Sequence, residues 1–149
     1  MRRMMLPLWT MILAGLLVSG CATAPVYVAP PLAESAGAVI YGARSHQPRP
    51  PVALIDAIDT LAVPDRHRAD NLVVAPGVRV LKVSGSCFRG WLMDIADAEL
   101  RVTVEAGRRY EIQVAPAEGG MEFRIHDVAS GRVVASQVAT VDRTIFKKS

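Results

Sequence analysis

The chain has 149 residues, 51% hydrophobic and 21% charged, with a formal net charge of +3 and a pI near 9.2. At this length one domain is expected, because chains split into several only beyond roughly 250 residues. Plentiful Leu, Ile and Val exclude wholesale disorder, and no apolar run reaches the roughly 20 residues of a membrane-spanning helix, which excludes a multi-span helical membrane protein.

Arg2 and Arg3 precede an apolar stretch over residues 4–18. As a helix rising about 1.5 Å per residue, that stretch would cover only about 22 Å of a hydrocarbon core about 30 Å thick. Such a length suits the apolar region of a secretory signal. Leu17-Val18-Ser19-Gly20-Cys21 follows. Small residues ahead of a cysteine suit a membrane-embedded peptidase, and the thiol can carry a diacylglycerol by thioether linkage. The segment resembles the lipobox of bacterial lipoproteins, with Val18, Ser19, Gly20 and Cys21 at the matching positions. The resemblance implies that signal peptidase reads Val18, Ser19 and Gly20, cleaves after Gly20, and leaves Cys21 lipidated with its new amino group acylated. Ala22 stands where an aspartate in that family favours inner-membrane retention. It points to the inner leaflet of the outer membrane, facing the periplasm. Three acyl chains, at roughly 0.8 kcal/mol per buried CH₂, hold essentially permanently.

Loss of residues 1–20 removes Arg2 and Arg3 and no acid, so the 17 bases fall to 15 against 14 acids. A nearly neutral, exported chain excludes nucleic acid as the expected partner. Residues 21–52 then read as the lipidated cysteine and a flexible linker, because Pro25, Pro30, Pro31, Pro48, Pro50 and Pro51 interrupt helix and ladder alike. Within it, residues 38–41 could dock as a short edge strand. As a coil the linker spans about 30 Å, and about 100 Å fully extended, so the domain is expected to stand well clear of the lipid.

From residue 53 the texture changes to short apolar segments between turn signals. Residues 53–63 carry Asp56 and Asp59 and fit a strand or a helix; residues 78–83 follow the Pro76-Gly77 turn with two competing alternation phases. Leu100, Val102 and Val104 alternate with polar residues, Ala106-Gly107-Arg108-Arg109 reads as a turn, and Tyr110, Ile112 and Val114 alternate again. That combination predicts a hairpin. Gly119-Gly120 opens another, with Met121, Phe123 and Ile125 inward and Arg124 and His126 outward. A turn over residues 127–131 and a β-branched run over residues 133–141 complete the series. Strands at this spacing predict an all-β fold: one small antiparallel β-sandwich over residues 53–142, with a tail at residues 143–149.

The phrases APGVRVLKV, VTVEAGRRYEIQV and FRIHDVASGRVV resemble small bacterial lipoproteins with transthyretin-like or PEGA-like sandwich domains, over about residues 53–135. Pro76-Gly77 matches their turn before a strand, and Ala106-Gly107 with Tyr110 their central hairpin. The match departs at Asp59-Thr60, where an acid-glycine turn is expected. The resemblance implies a binding or envelope-structural domain and supplies no catalytic residues.

Chemistry-bearing residues are sparse. Cys87, in the apparent turn Ser84-Gly85-Ser86-Cys87-Phe88, is the one thiol left after lipidation. It is either a semi-buried structural residue or the candidate for an intermolecular disulfide, and a nucleophile only with a neighbouring base such as His126 or His67. Asp65, His67 and Asp70 have a metal-like spacing, but Arg66 and Arg68 flank the histidine and the stretch reads as a solvated loop. His126 beside Asp127 reads as an exposed pair, His46 as part of the linker, and Lys147-Lys148-Ser149 as a frayed end. Asp94, Asp97 and Glu99 read as a charged edge or loop, and Trp91 with Phe88 as a cap on the core or an exposed aromatic contact at an interface. No catalytic set, cofactor or metal site is therefore expected. The expected function is a lipid-anchored, non-catalytic binding or structural module that contacts an envelope protein or the cell wall. The alternatives are a carrier for a small apolar ligand, or an envelope hydrolase or redox enzyme using Cys87.

Overall fold

The computed structural model describes residues 24–43 and 49–146. Ten strands form two packed sheets, a β-sandwich, as the alternation predicts. In chain order they are β1 (Ala38–Gly42), β2 (Val52–Ile58), β3 (Leu61–Ala62), β4 (Leu72–Val74), β5 (Gly77–Arg89), β6 (Leu92–Val104), β7 (Arg109–Ala117), β8 (Gly120–Asp127), β9 (Val133–Ala139) and β10 (Arg143–Phe146). The first sheet has the order β4-β1-β7-β8-β9 and the second the order β10-β6-β5-β2-β3. Every pairing is antiparallel except that of β1 with β7.

Period-two alternation decides which residues meet between the sheets. Leu81 and Val83 of β5, Leu100, Val102 and Val104 of β6, Tyr110 and Ile112 of β7, and Met121, Phe123 and Ile125 of β8 all lie in one buried cluster. The sheets approach closely at Gly85. A Cβ built there would stand 2.7 Å from the Phe123 ring and 2.9 Å from the Met121 sulfur.

The longest ladder pairs all thirteen residues of β5 with β6, from Gly77 opposite Val104 to Arg89 opposite Leu92. Residues 84–88 are therefore the second half of a strand rather than a turn, and the chain reverses at Gly90, where φ is +65°. Trp91, on that reversal, is 65% exposed instead of capping the core. The hairpin expected across residues 106–109 is not one. β6 and β7 lie in different sheets, so this turn carries the chain over the top of the sandwich. The Tyr110 hydroxyl accepts the Glu105 N–H at 3.0 Å and ties the crossing. Alternation marks which residues face the core, but two inward rows can sit side by side in one sheet or face to face across two.

The linker expectation also changes. β1 is a central strand between β4 and β7, with Ala38, Val39 and Ile40 at most 1% exposed. The prolines crowd both ends of residues 22–52 and leave residues 32–47 free of them. The sandwich thus includes residues ahead of residue 53, β1 among them. At the other end, Arg143–Phe146 of the expected tail pairs with β6 as β10. The β2–β3 reversal forms without glycine: Asp59 and Thr60 hold φ of 49° and 75°. This is the sign pattern of a primed hairpin turn. The Asp59 carboxylate secures it by accepting the Val80 N–H at 2.9 Å and the Arg79 guanidinium at 2.5 Å.

Gly85→Ala should destabilise the fold by about 1–3 kcal/mol through overpacking against Phe123; an unchanged urea midpoint would contradict this packing. Burial pushes the Asp59 carboxyl upward, but the Val80 N–H and the Arg79 guanidinium outweigh it and hold its pKa below the ordinary 3.8. As pH falls the unfolded chain therefore protonates first. The stabilisation is complete at neutral pH and fades as pH drops through 3.8 and below. Asp59→Asn should lower the thermal midpoint at pH 7 and show a shallower further loss on acidification. Parallel melting curves for the two chains across pH 3–7 would refute the assignment.

Candidate interaction surface

The two lateral sides of the sandwich differ. On one, β3 and β4 are the edge strands, and residues 25–27 run across both. The Tyr27 N–H donates to the Ala62 carbonyl at 2.8 Å, and the Ala62 N–H to the Pro25 carbonyl at 3.0 Å. The Tyr27 hydroxyl donates to the Val73 carbonyl at 2.6 Å. One short segment thus bonds to an edge strand of each sheet. Burial pushes the Tyr27 phenol above its usual pKa, with a smaller upward push from Asp59 and a downward one from Arg79.

On the other side β9 is the edge of the first sheet. Its sequence, VVASQVA, contains neither charge nor proline, the two residue classes that usually protect an edge against further pairing. β10 covers β6 only as far as Ile95. Among the described residues no strand is hydrogen-bonded to the β6 edge beyond that point, although β9 of the other sheet runs close to it. Gln137 is paired with buried Phe123 yet is itself exposed, which shows how far this side stands open.

A groove of about 670 Å³ runs between the free part of β6 and the β8–β9 turn, over Val102 and Tyr110. Its walls carry three arginines, Arg101, Arg108 and Arg132, and two acids, Glu105 and Asp127. Arg108 is shared between the acids, 3.7 Å from Glu105 and 3.5 Å from Asp127. Burial raises the Asp127 carboxyl, but bonds from Ser130 and the Ala129 N–H, with the Arg108 charge, bring it below the usual range. The acids are thus engaged by Arg108, and the Arg101 and Arg132 guanidinium groups have no ion pair among the described residues. The groove is left with a positive excess beside an unpaired strand edge.

The sequence candidates fall elsewhere. Val18, Ser19, Gly20, Cys21, His46 and Lys147-Lys148-Ser149 lie outside the described residues. Cys87 is 3% exposed, on the inward face of β5. Burial, and secondarily the Asp94 charge, raise its thiol pKa. That makes it a poor nucleophile, with no access for a second chain's thiol while the fold is intact. His126 belongs to the outward row of β8, on the opposite side of its sheet from the core that holds Cys87. His67 bonds through Nδ1 to Asp70 at 2.7 Å and accepts Arg66 Nε–H at Nε2. Both ring nitrogens are thereby committed, and the described residues bring no three His, Cys, Asp or Glu side chains together as a metal site.

Asp94 lies on the inward row of β6, held below the usual carboxylate range first by Thr144 and then by Arg89. Asp97 and Glu99 lie on the outward row, so alternation separates the three acids between two faces. On the outward face of the second sheet, Arg68 bonds to Asp56 and to Ser84. At the hairpin tip the Arg49 guanidinium stands 4.8 Å from the Trp91 ring and 5.8 Å from Phe88. Sequence reasoning missed Arg101 and Arg132, which lie 31 positions apart and meet only through the packing of the two sheets. The absence of charge from residues 133–139 was the one sequence sign of an open edge.

No protein-family model matches the chain, and no curated protein or solved structure does so either.

Proposed function

We propose that this protein is a lipoprotein anchored through Cys21 in the inner leaflet of the outer membrane, facing the periplasm. It acts there as a non-catalytic binding module. Its open side takes up an extended segment of an envelope protein, which adds to β9 through main-chain hydrogen bonds and sets acidic side chains into the neighbouring groove. The observation that carries this reading is β9 itself: a seven-residue edge strand without charge or proline, beside Arg101 and Arg132. Strand addition supplies affinity through the backbone, and side-chain pockets beside the edge supply selectivity. Unpaired guanidinium groups favour carboxylates in the incoming segment. The lipid anchor contributes by confinement, since a module held at a membrane meets its partner at a raised effective concentration.

Two measurements test this reading. Cys21→Ala should move the protein from the membrane fraction to the soluble fraction; persistence in the membrane would overturn the anchoring. A photo-crosslinking residue at Val134 or Val138, both exposed on β9, should trap one envelope protein in intact cells. Arg132→Glu should weaken that adduct roughly tenfold. Cell-wall fragments in place of a protein would overturn strand addition, as would equal yields from β9 and from Lys82 on the outer face of the second sheet.

A further inference from the structure

We infer that the side of the sandwich closed by residues 25–27 lies against the lipid bilayer, with Val26 and Val28 as its contact, so that β9 points away from the membrane. The inference rests on the anchoring proposed above and adds the orientation of the domain. Its first support is the length of chain between anchor and fold. From Cys21 to Pro25 there are four Cα steps of 3.8 Å, a reach of at most about 15 Å. Pro25 is already fixed to the body by its bond from Ala62. A leash that short brings this side to the headgroups and cannot present the opposite side instead. The first sheet alone places β9 four strand spacings from β4, about 19 Å away.

The second support is the character of the surface. Alternation along the segment turns Tyr27 inward, where its hydroxyl reaches Val73, and leaves its two neighbours outward. Val26 is 53% exposed and Val28 79%. Leu32 adds a further exposed apolar side chain. Arg66 lies beside Val26 and Val28 in the lining of the same groove, where the Asp70 carboxylate is taken up by His67, and its guanidinium is the group offered to lipid phosphates. Apolar tips flanked by a guanidinium match the boundary between acyl chains and headgroups, where such groups sit about 5–10 Å deep.

The test uses the full, lipidated chain in vesicles of phosphatidylethanolamine and phosphatidylglycerol in which part of the acyl chains is brominated. Trp91 is the sole tryptophan after removal of the signal. Trp91→Phe combined with Val28→Trp or with Val138→Trp therefore gives two single-reporter proteins, one for each side. The Val28→Trp emission should fall by about half or more and shift to the blue, while the Val138→Trp emission stays unquenched. Equal quenching of the two reporters, or none at either, in a vesicle-bound chain that carries the acyl mass on Cys21 would overturn the orientation alone. A chain without that acyl mass, left in solution, would overturn the anchoring and the orientation with it.

Discussion

The three hydrogen bonds that link Pro25 and Tyr27 to Ala62 and Val73 set the character of the whole molecule. A sandwich of two open sheets has two lateral sides, each exposing a pair of strand edges, and an unpaired edge is a standing invitation to further pairing. Here one segment closes one side by bonding to β3 in one sheet and β4 in the other. Tyr27 reaches both, its backbone bonding to the edge of the second sheet and its hydroxyl to the edge of the first, and Pro25 adds one more bond to β3. β1 follows this segment and runs inside the first sheet, between β4 and β7. Residues 25–42 are thus built into the fold, and the open side at β9 stands opposite to residues 25–27.

That asymmetry gives the charges their meaning. On the closed side and around the β2–β3 turn, acids and arginines pair with each other, as Asp59 does with Arg79 and Asp56 with Arg68. In the groove beside β9 the acids are taken up by Arg108, and Arg101 and Arg132 face solvent. Exposed ion pairs add little to stability, with a median near 0–1 kcal/mol. Their arrangement matters more for which partner can approach than for whether the domain folds.

Much of the core was legible in the sequence. Leu100, Val102 and Val104, then Tyr110, Ile112 and Val114, then Met121, Phe123 and Ile125 are read correctly as inward rows, because period-two alternation is local. What the same pattern does not encode is the neighbour of each row. Thus β6 and β7, adjacent in sequence and alike in alternation, belong to different sheets, while residues 84–88, rich in serine and glycine, are part of the longest ladder. Gly85 is there because Phe123 occupies the space of a side chain, a reason invisible until the other sheet is in place. β1 was hidden by an average: prolines at both ends gave a linker's composition to a stretch whose centre is Ala-Val-Ile. Asp59-Thr60 concealed a turn because its positive φ values are held by a carboxylate bonded to residues twenty positions away. The interaction surface was the least legible part, since an edge is defined by what does not pair with it.

The short chain between Cys21 and Pro25 changes what the proposed anchor can do. A coil of some thirty residues would let the domain turn freely, and its effective concentration toward a fixed partner would fall as roughly the −3/2 power of its length. Four steps allow little turning. In the proposed reading the anchor therefore sets direction as well as location. It holds β9 at a fixed height above the lipid, so that a partner able to present an extended segment at that height is favoured over one that cannot. Selectivity of this kind needs few specific side chains, because confinement supplies part of the discrimination before any contact forms. That is in keeping with a surface made of a plain valine-rich edge and two unpaired arginines.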